Sequence, residues 1–174
     1  MKIILLTSDY HLSANIGVKT FLESPYLKKY DIQITGIVSA SPYKADGSTW
    51  GKMRIFMKQA GWAFSLKSII TAIWKTIEIK LGKWFVPNKN REYFDIDEMA
   101  ESRNIPFLKI RDINSQKAKR FMQESQPDYL VSCFLLQIVD KEVLAIPGKG
   151  AINVHPALIQ EHRGTFSSFW ILLK

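Results

Sequence analysis

Short apolar runs that alternate with helical segments limit what this chain can fold into. Lys2 to Thr7 (KIILLT) is a continuous apolar run, the pattern of a strand covered on both faces. Ile32 to Ser39 is rich in β-branched residues and reads as a second strand. Phe107 to Ile110, Tyr129 to Cys133 and Ile152 to Val154 read as three more. Between them, Ser13 to Leu22 suits a helix with Ser13 as N-cap, Ile96 to Arg103 a second, and Ser115 to Ser125 a third that ends before Pro127. Lys141 to Leu144 reads as part of a short fourth. Outside residues 41 to 95 this is strand and helix in turn, which implies an α/β fold: a parallel sheet with helices on both faces.

A chain of 174 residues makes one domain, or one domain with an insertion, and is long enough to bury a core. Apolar residues at 47% and charged residues at 23% exclude a disordered chain. The single cysteine, Cys133, excludes a disulfide framework and favours a reducing compartment; within an apolar run it reads as a packed, inert thiol. The opening MKIILLTSDY is too short an apolar run for a signal peptide and reads as the first strand, so the expected location is the cytoplasm.

In parallel sheets ligands bind beyond the carboxyl ends of the strands. The strand ending at Val154 delivers Asn153 and His155 to that edge. Two apart, they point the same way if strand geometry persists, and Pro156 fixes the chain as it leaves the sheet. An Asn amide is a fixed neutral donor, and a His can donate and shuttle a proton near neutral pH. Asn-x-His-Pro alone is too short to be specific, but its setting extends it. Ala151 to Gly164 (AINVHPALIQEHRG) resembles the signature of folate-dependent formyltransferases, Asn-x-His-Pro followed by Ser-Leu-Leu-Pro, two variable residues and Arg-Gly. The match runs through Asn153, His155, Pro156, Leu158, Arg163 and Gly164. Pro127 to Gly150 also resembles the family's strand, folate-contacting loop and helix before the motif.

The resemblance implies a Rossmann-like formyltransferase fold with a helical insertion, residues 1–174 being the N-terminal catalytic domain. It implies 10-formyltetrahydrofolate as co-substrate and no metal; no His, Cys and carboxylate cluster has metal-ligand spacing. Asn153 is assigned to the formyl oxygen, and His155 to oxyanion stabilisation and proton transfer. Leu136, Gln137, Ile138 and Val139 would hold the pterin, chiefly through backbone groups. His11 in the first loop and Arg163 are candidate acceptor contacts; His162 reads as packing or surface.

Three departures qualify this. Ser-Leu-Leu-Pro has become Ala157-Leu158-Ile159-Gln160, which removes a hydroxyl and a rigid proline. The family's catalytic aspartate, a few tens of residues past the histidine, is not reached before Lys174, so this stretch alone is expected to be nearly inactive and to be part of a longer protein. The first loop, TSDYHLSAN (Thr7 to Asn15), has neither the glycine-rich phosphate loop of the glycinamide ribonucleotide members nor the Gly-Thr-Pro of the methionyl-tRNA members.

Residues 50–86 stand apart as a basic insertion. Of the net charge of +8, nearly all lies between Lys52 and Lys89, which hold eight basic residues and one acid, Glu78. Leu66, Ile69, Ile70, Ile73, Ile77, Leu81 and Trp84 follow helical spacing, and Trp50, Trp62, Trp74 and Trp84 are four of the five tryptophans. Gln59 to Trp74, with one charge at Lys67, is too short to span a bilayer. Three readings stay open: a hairpin packed on the sheet, a membrane-surface contact, or a surface for a nucleic acid such as tRNA. The atypical first loop and this insertion favour an amino sugar, nucleotide- or lipid-linked, as the amine acceptor. Methionyl-tRNA is the alternative. A non-catalytic folate-binding or membrane-peripheral module on the same scaffold is the third expectation.

Overall fold

The computed structural model describes residues 1–8, 12–41 and 95–154, together with 61, 62, 66, 67, 70, 71, 73, 74 and 77. The chain divides into two units, one formed by Met1–Lys44 with Asp95–Lys174, the other by Ala45–Phe94.

The first unit carries β1 (Lys2–Ser8), α1 (Leu12–Leu22), α2 (Pro25–Lys29), β2 (Gln33–Ala40), α3 (Ile96–Glu101), β3 (Phe107–Ile110), α4 (Gln116–Ser125), β4 (Tyr129–Cys133), α5 (Lys141–Leu144) and β5 (Gly150–Val154). The strands form one sheet in the order β3-β2-β1-β4-β5, with every pairing parallel. This is the expected α/β arrangement. The central strand explains the unbroken apolar run at the start: Ile3 to Ser8 are all buried, because helices cover both faces.

Parallel register sets one transverse row across the sheet: Leu108, Val38, Leu6, Ser132 and Asn153, from β3 through to β5. On the β3 side this face is apolar. Ile4, Leu6, Val38, Leu108 and Leu130 form a core with Ala118 and Met122 of α4 and Val143 of α5. The opposite face is covered by α1, which packs on β4 and α3. Gly17 makes that approach possible. A Cβ there would sit 2.7 Å from Phe134 Cε2 and 3.4 Å from Cys133 Sγ.

Several boundaries differ from expectation. α1 begins at Leu12, so Ser13 lies inside it and is not its N-cap. Pro25–Lys29 forms an additional turn of helix, with Pro25 in the first turn and Ser24 as its cap. Ser115 caps α4, its Oγ accepting from Ala118 N at 3.3 Å, and Asp140 caps α5, accepting from Val143 N at 2.8 Å. The helix foreseen to Arg103 stops at Glu101.

The loop after β4 is held by side chains from three directions. Gln137 is 8% exposed and turned inward: its Oε1 accepts from Ile113 N at 2.9 Å, and its Nε2 donates to the carbonyls of Ser41 and Arg111. Asn114 donates from Nδ2 to the Ile138 carbonyl and accepts from Asp140 N, both at 2.9 Å. Ser8 Oγ accepts from Leu136 N at 2.8 Å. A segment without regular structure is thereby fixed to the ends of β1, β2 and β3.

At the other edge of the sheet the joins are ionic. Asp128 accepts from Lys2 N at 2.7 Å and pairs with Lys149 at 3.1 Å; the backbone donor first, and then the lysine, hold its carboxyl below the usual aspartate range. At the carboxyl edge, where it caps α5, Asp140 is also depressed, chiefly by the Val143 N–H and then by Lys119.

Two outcomes follow. Gln137→Leu removes one buried and two part-buried hydrogen bonds at once and is expected to lower stability by about 3 kcal/mol in urea denaturation; a loss under about 1 kcal/mol would show that the loop holds without it. Asp128 is depressed in the folded state, so its ionic contribution is present above the unfolded value of about 3.9 and is lost as pH falls through the folded value. The stability difference between the unsubstituted protein and Asp128→Asn should thus be steady from about pH 7 to 5 and shrink below about pH 4, measured by denaturation at a series of pH values.

Candidate functional site

The connections leave β1 in opposite directions across the sheet, to β2 and β3 on one side and to β4 and β5 on the other. A crevice opens at such a switch point, beyond the carboxyl ends of the strands. Here those ends are Ser8 of β1, Cys133 of β4 and Val154 of β5.

Next to this edge lies a cleft of about 290 Å³, bounded by β1, β4, β5, α5 and the loop after β4. Its walls are mostly apolar, with Leu6, Leu130, Leu135, Val139 and Leu144 among them, and its polar groups are Ser132, Gln137 and Asn153. Apolar walls with a few fixed polar groups are the usual make-up of a small-molecule site, at the lower end of the size range. No ionisable side chain lines it among the described residues.

Asn153 sits on the exposed strand β5. Its Oδ1 accepts a hydrogen bond from Ser132 Oγ at 2.6 Å. Among the described residues nothing accepts from its Nδ2, so the amide donors are free at the cleft. His155, the other expected catalytic residue, lies outside the described residues, as do His11, His162 and Arg163.

The four expected folate contacts divide into two kinds. Leu136 and Ile138 present their side chains outward, 41% and 85% exposed. Gln137 and Val139 turn inward, Gln137 to the three backbone groups described above and Val139 against the core. Two backbone groups of this loop are also engaged within the chain, the Leu136 N–H by Ser8 and the Ile138 carbonyl by Asn114. Gln137 therefore belongs to the scaffold of the loop and offers the cleft only the remaining surface of a committed amide.

Cys133 is half-buried, and burial pushes its thiol above the ordinary value, so it stays protonated near neutral pH. This agrees with an inert packing role. Ser8, Asn114 and Ser132 were not singled out by the sequence. Ser132 left a readable trace, a hydroxyl at an otherwise apolar strand position two residues after Leu130. The other two are polar loop residues without a distinguishing pattern. No group of three His, Cys, Asp or Glu side chains that could hold a metal occurs among the described residues.

In the second unit the apolar side chains of Trp62, Leu66, Ile70, Ile73, Trp74 and Ile77 are all exposed, from 45% to 75%. No helix among the described residues is long and apolar enough to cross a membrane.

The formyl transferase family model matches residues 82–173, more than half of the chain. The methionyl-tRNA formyltransferase of Thermotoga maritima is 30% identical over 69 residues, which cover 40% of this chain and 22% of that protein. The methionyl-tRNA formyltransferase of Clostridium tetani is 35% identical over 81 residues, 45% of this chain and 26% of that one. The chain thus spans about a quarter or less of the length of these curated relatives. Among solved structures, phosphoribosylglycinamide formyltransferase from Anaplasma phagocytophilum superposes with a TM-score of 0.53 at 13% identity, over 99% of this chain and 58% of that one. Glycinamide ribonucleotide transformylase 1 from Geobacillus kaustophilus gives 0.52 at 14%, over 99% and 66%. At such identities these two likenesses speak for the fold alone. With the family model covering the β4 loop, β5 and the Asn-x-His-Pro segment, the chain belongs to the formyl transferase family.

Proposed function

We propose that the protein containing this chain transfers a formyl group from 10-formyltetrahydrofolate to a primary amine. The observation that carries the reading is Asn153: it lies within the family match, lines the cleft, and has an amide nitrogen with no partner among the described residues. In the reaction the amine nitrogen bonds to the formyl carbon, and the bond from that carbon to the folate nitrogen breaks. Negative charge gathers on the formyl oxygen in between. Asn153 Nδ2 donates to that oxygen without carrying charge itself. His155 donates to the same oxygen and passes the proton lost by the amine to the departing folate nitrogen, which leaves tetrahydrofolate. The loop from Leu136 to Val139 gives the pterin a fixed wall, since its side-chain staples are set before any ligand arrives. A folate cleft supplied from the cytoplasm is consistent with the single unpaired cysteine.

For the acceptor, methionyl-tRNA is the reading that the named curated relatives favour, and the +7 surplus between Lys52 and Lys89 suits a phosphate backbone. The expected amino sugar finds no support in those relatives. It stands as the second reading on two observations only: the first loop lacks Gly-Thr-Pro, and the insertion, lysine-rich in sequence, exposes Trp62, Trp74 and several isoleucines, which would also suit a membrane surface.

Three measurements test this. Calorimetric titration with 5-formyltetrahydrofolate, a stable isomer, should give saturable binding; none by a protein that includes the family's downstream aspartate would sink the folate reading. Asn153→Ala and His155→Ala should each lower kcat about 10²–10³-fold while folate binding persists; unchanged rates would remove these two side chains from the transfer step, and folate binding without turnover in the unsubstituted protein would favour a non-catalytic module. Side-by-side formylation of methionyl-tRNA and of a nucleotide-linked amino sugar decides the acceptor.

A further inference from the structure

We propose that Ser132 is a positioning residue that sets which end of the Asn153 amide faces the reacting formyl group. This rests on the formyl-transfer reading for its kinetic consequence, but not for the geometry.

An Asn side chain at a catalytic edge has two unlike ends: an oxygen that only accepts and a nitrogen that only donates. A half-turn about the last side-chain bond exchanges them. With the nitrogen toward the formyl oxygen, the amide stabilises developing negative charge; with the oxygen there, it repels it. Something in the fold must therefore break the symmetry.

Ser132 does so through the sheet register. It stands on β4 between Leu6 of β1 and Asn153 of β5. The Leu6 side chain accepts no hydrogen bond, so on that side the hydroxyl proton finds no side-chain partner. On the other side it meets Asn153 Oδ1 at 2.6 Å, and this is its one side-chain hydrogen bond among the described residues. Were the amide turned about, Nδ2 would face the hydroxyl oxygen, and the Ser132 proton would lose its protein acceptor and turn to solvent. The turned amide would trade a short, direct bond held by the strand register for one that needs water at the hydroxyl, which biases the two-way choice toward the observed orientation. The amide is thereby held with its oxygen toward β4 and both N–H groups toward the cleft.

The register makes the arrangement firm. Both residues are on paired strands, with neighbours Leu130–Ala151 and Cys133–Val154 also in register, so the Oγ to Oδ1 distance is fixed by the ladder and not by loop conformation. A serine is also the side chain that reaches this far while leaving the cleft open. Threonine keeps the hydroxyl and adds a methyl.

Two arms test the proposal. Side-chain nitrogen relaxation in the NMR spectrum should show a rigid Asn153 amide in the unsubstituted protein and a mobile one in Ser132→Ala, with Ser132→Thr restoring rigidity; equal mobility in all three would overturn it. In the formylation assay Ser132→Ala should lower kcat about tenfold with KM for the folate donor changed by less than about twofold, and Ser132→Thr should recover most of the rate. In an Asn153→Ala background the same substitution should have no further effect, because Ser132 acts through that amide. Additive losses would overturn the proposal and indicate a separate contribution to packing. If the unsubstituted protein transfers no formyl group, the function reading falls, and the NMR arm still decides whether Ser132 orients Asn153.

Discussion

The buried amide of Gln137 is the interaction on which the site depends. One side chain satisfies a buried N–H at Ile113 and part-buried carbonyls at Ser41 and Arg111, three main-chain groups that follow β3 and β2. Loops at the carboxyl edge of a parallel sheet have no ladder to join, so their backbone groups need partners from elsewhere. Gln137 supplies these from the loop after β4, and in doing so determines where that loop runs. The outward placement of Leu136 and Ile138 is a consequence, since residues on either side of an inward Gln must face away. Asn114 and Ser8 then close the same loop from β3 and β1.

How much of this was legible in the sequence depends on the range of the forces involved. The central strand could be read because burial on both faces leaves an unbroken apolar run, as in KIILLT, the other strands from shorter apolar or β-branched runs, and the helix from Ser115 because it carries its own cap. The short helix Pro25–Lys29 was missed although Ser24-Pro25 is a helix-start signal, since five residues contribute too little periodicity to be noticed. Ser13 was misplaced for a related reason: a cap is defined by where the chain turns, which the strand before it decides. Asn153 was legible through its motif. The inward role of Gln137 and the pairing of Ser132 with Asn153 were not. Both join residues 21 or more positions apart, and only the sheet order brings them together.

The transverse row from Leu108 to Asn153 shows how one sheet provides both core and site. Its first three members, Leu108, Val38 and Leu6, are at most 9% exposed. Ser132 and Asn153 follow on the same face, where β4 and β5 reach the cleft. The apolar part holds the strands together, and this cohesion lets the polar part keep its geometry. A hydrogen bond of 2.6 Å between neighbouring strands needs no additional ordering of the backbone, because the ladder has already imposed it.

Charge is distributed along the strands in a matching way. At their amino ends Asp128 joins the Lys2 backbone and Lys149 by contacts that depend on its ionisation. Among the described residues, the polar groups in the mostly apolar cleft at their other ends are a hydroxyl and two amides, none of which titrates in the working range of an enzyme. Fixed neutral dipoles suit a reaction in which negative charge is transient. A permanent cation would bind anions in the ground state as well, whereas an oriented amide gains most when the charge appears. Proton movement is then left to a group that does titrate near neutrality, a role that falls to His155 in the proposed reaction, while the donor held by Ser132 stays the same on either side of that titration.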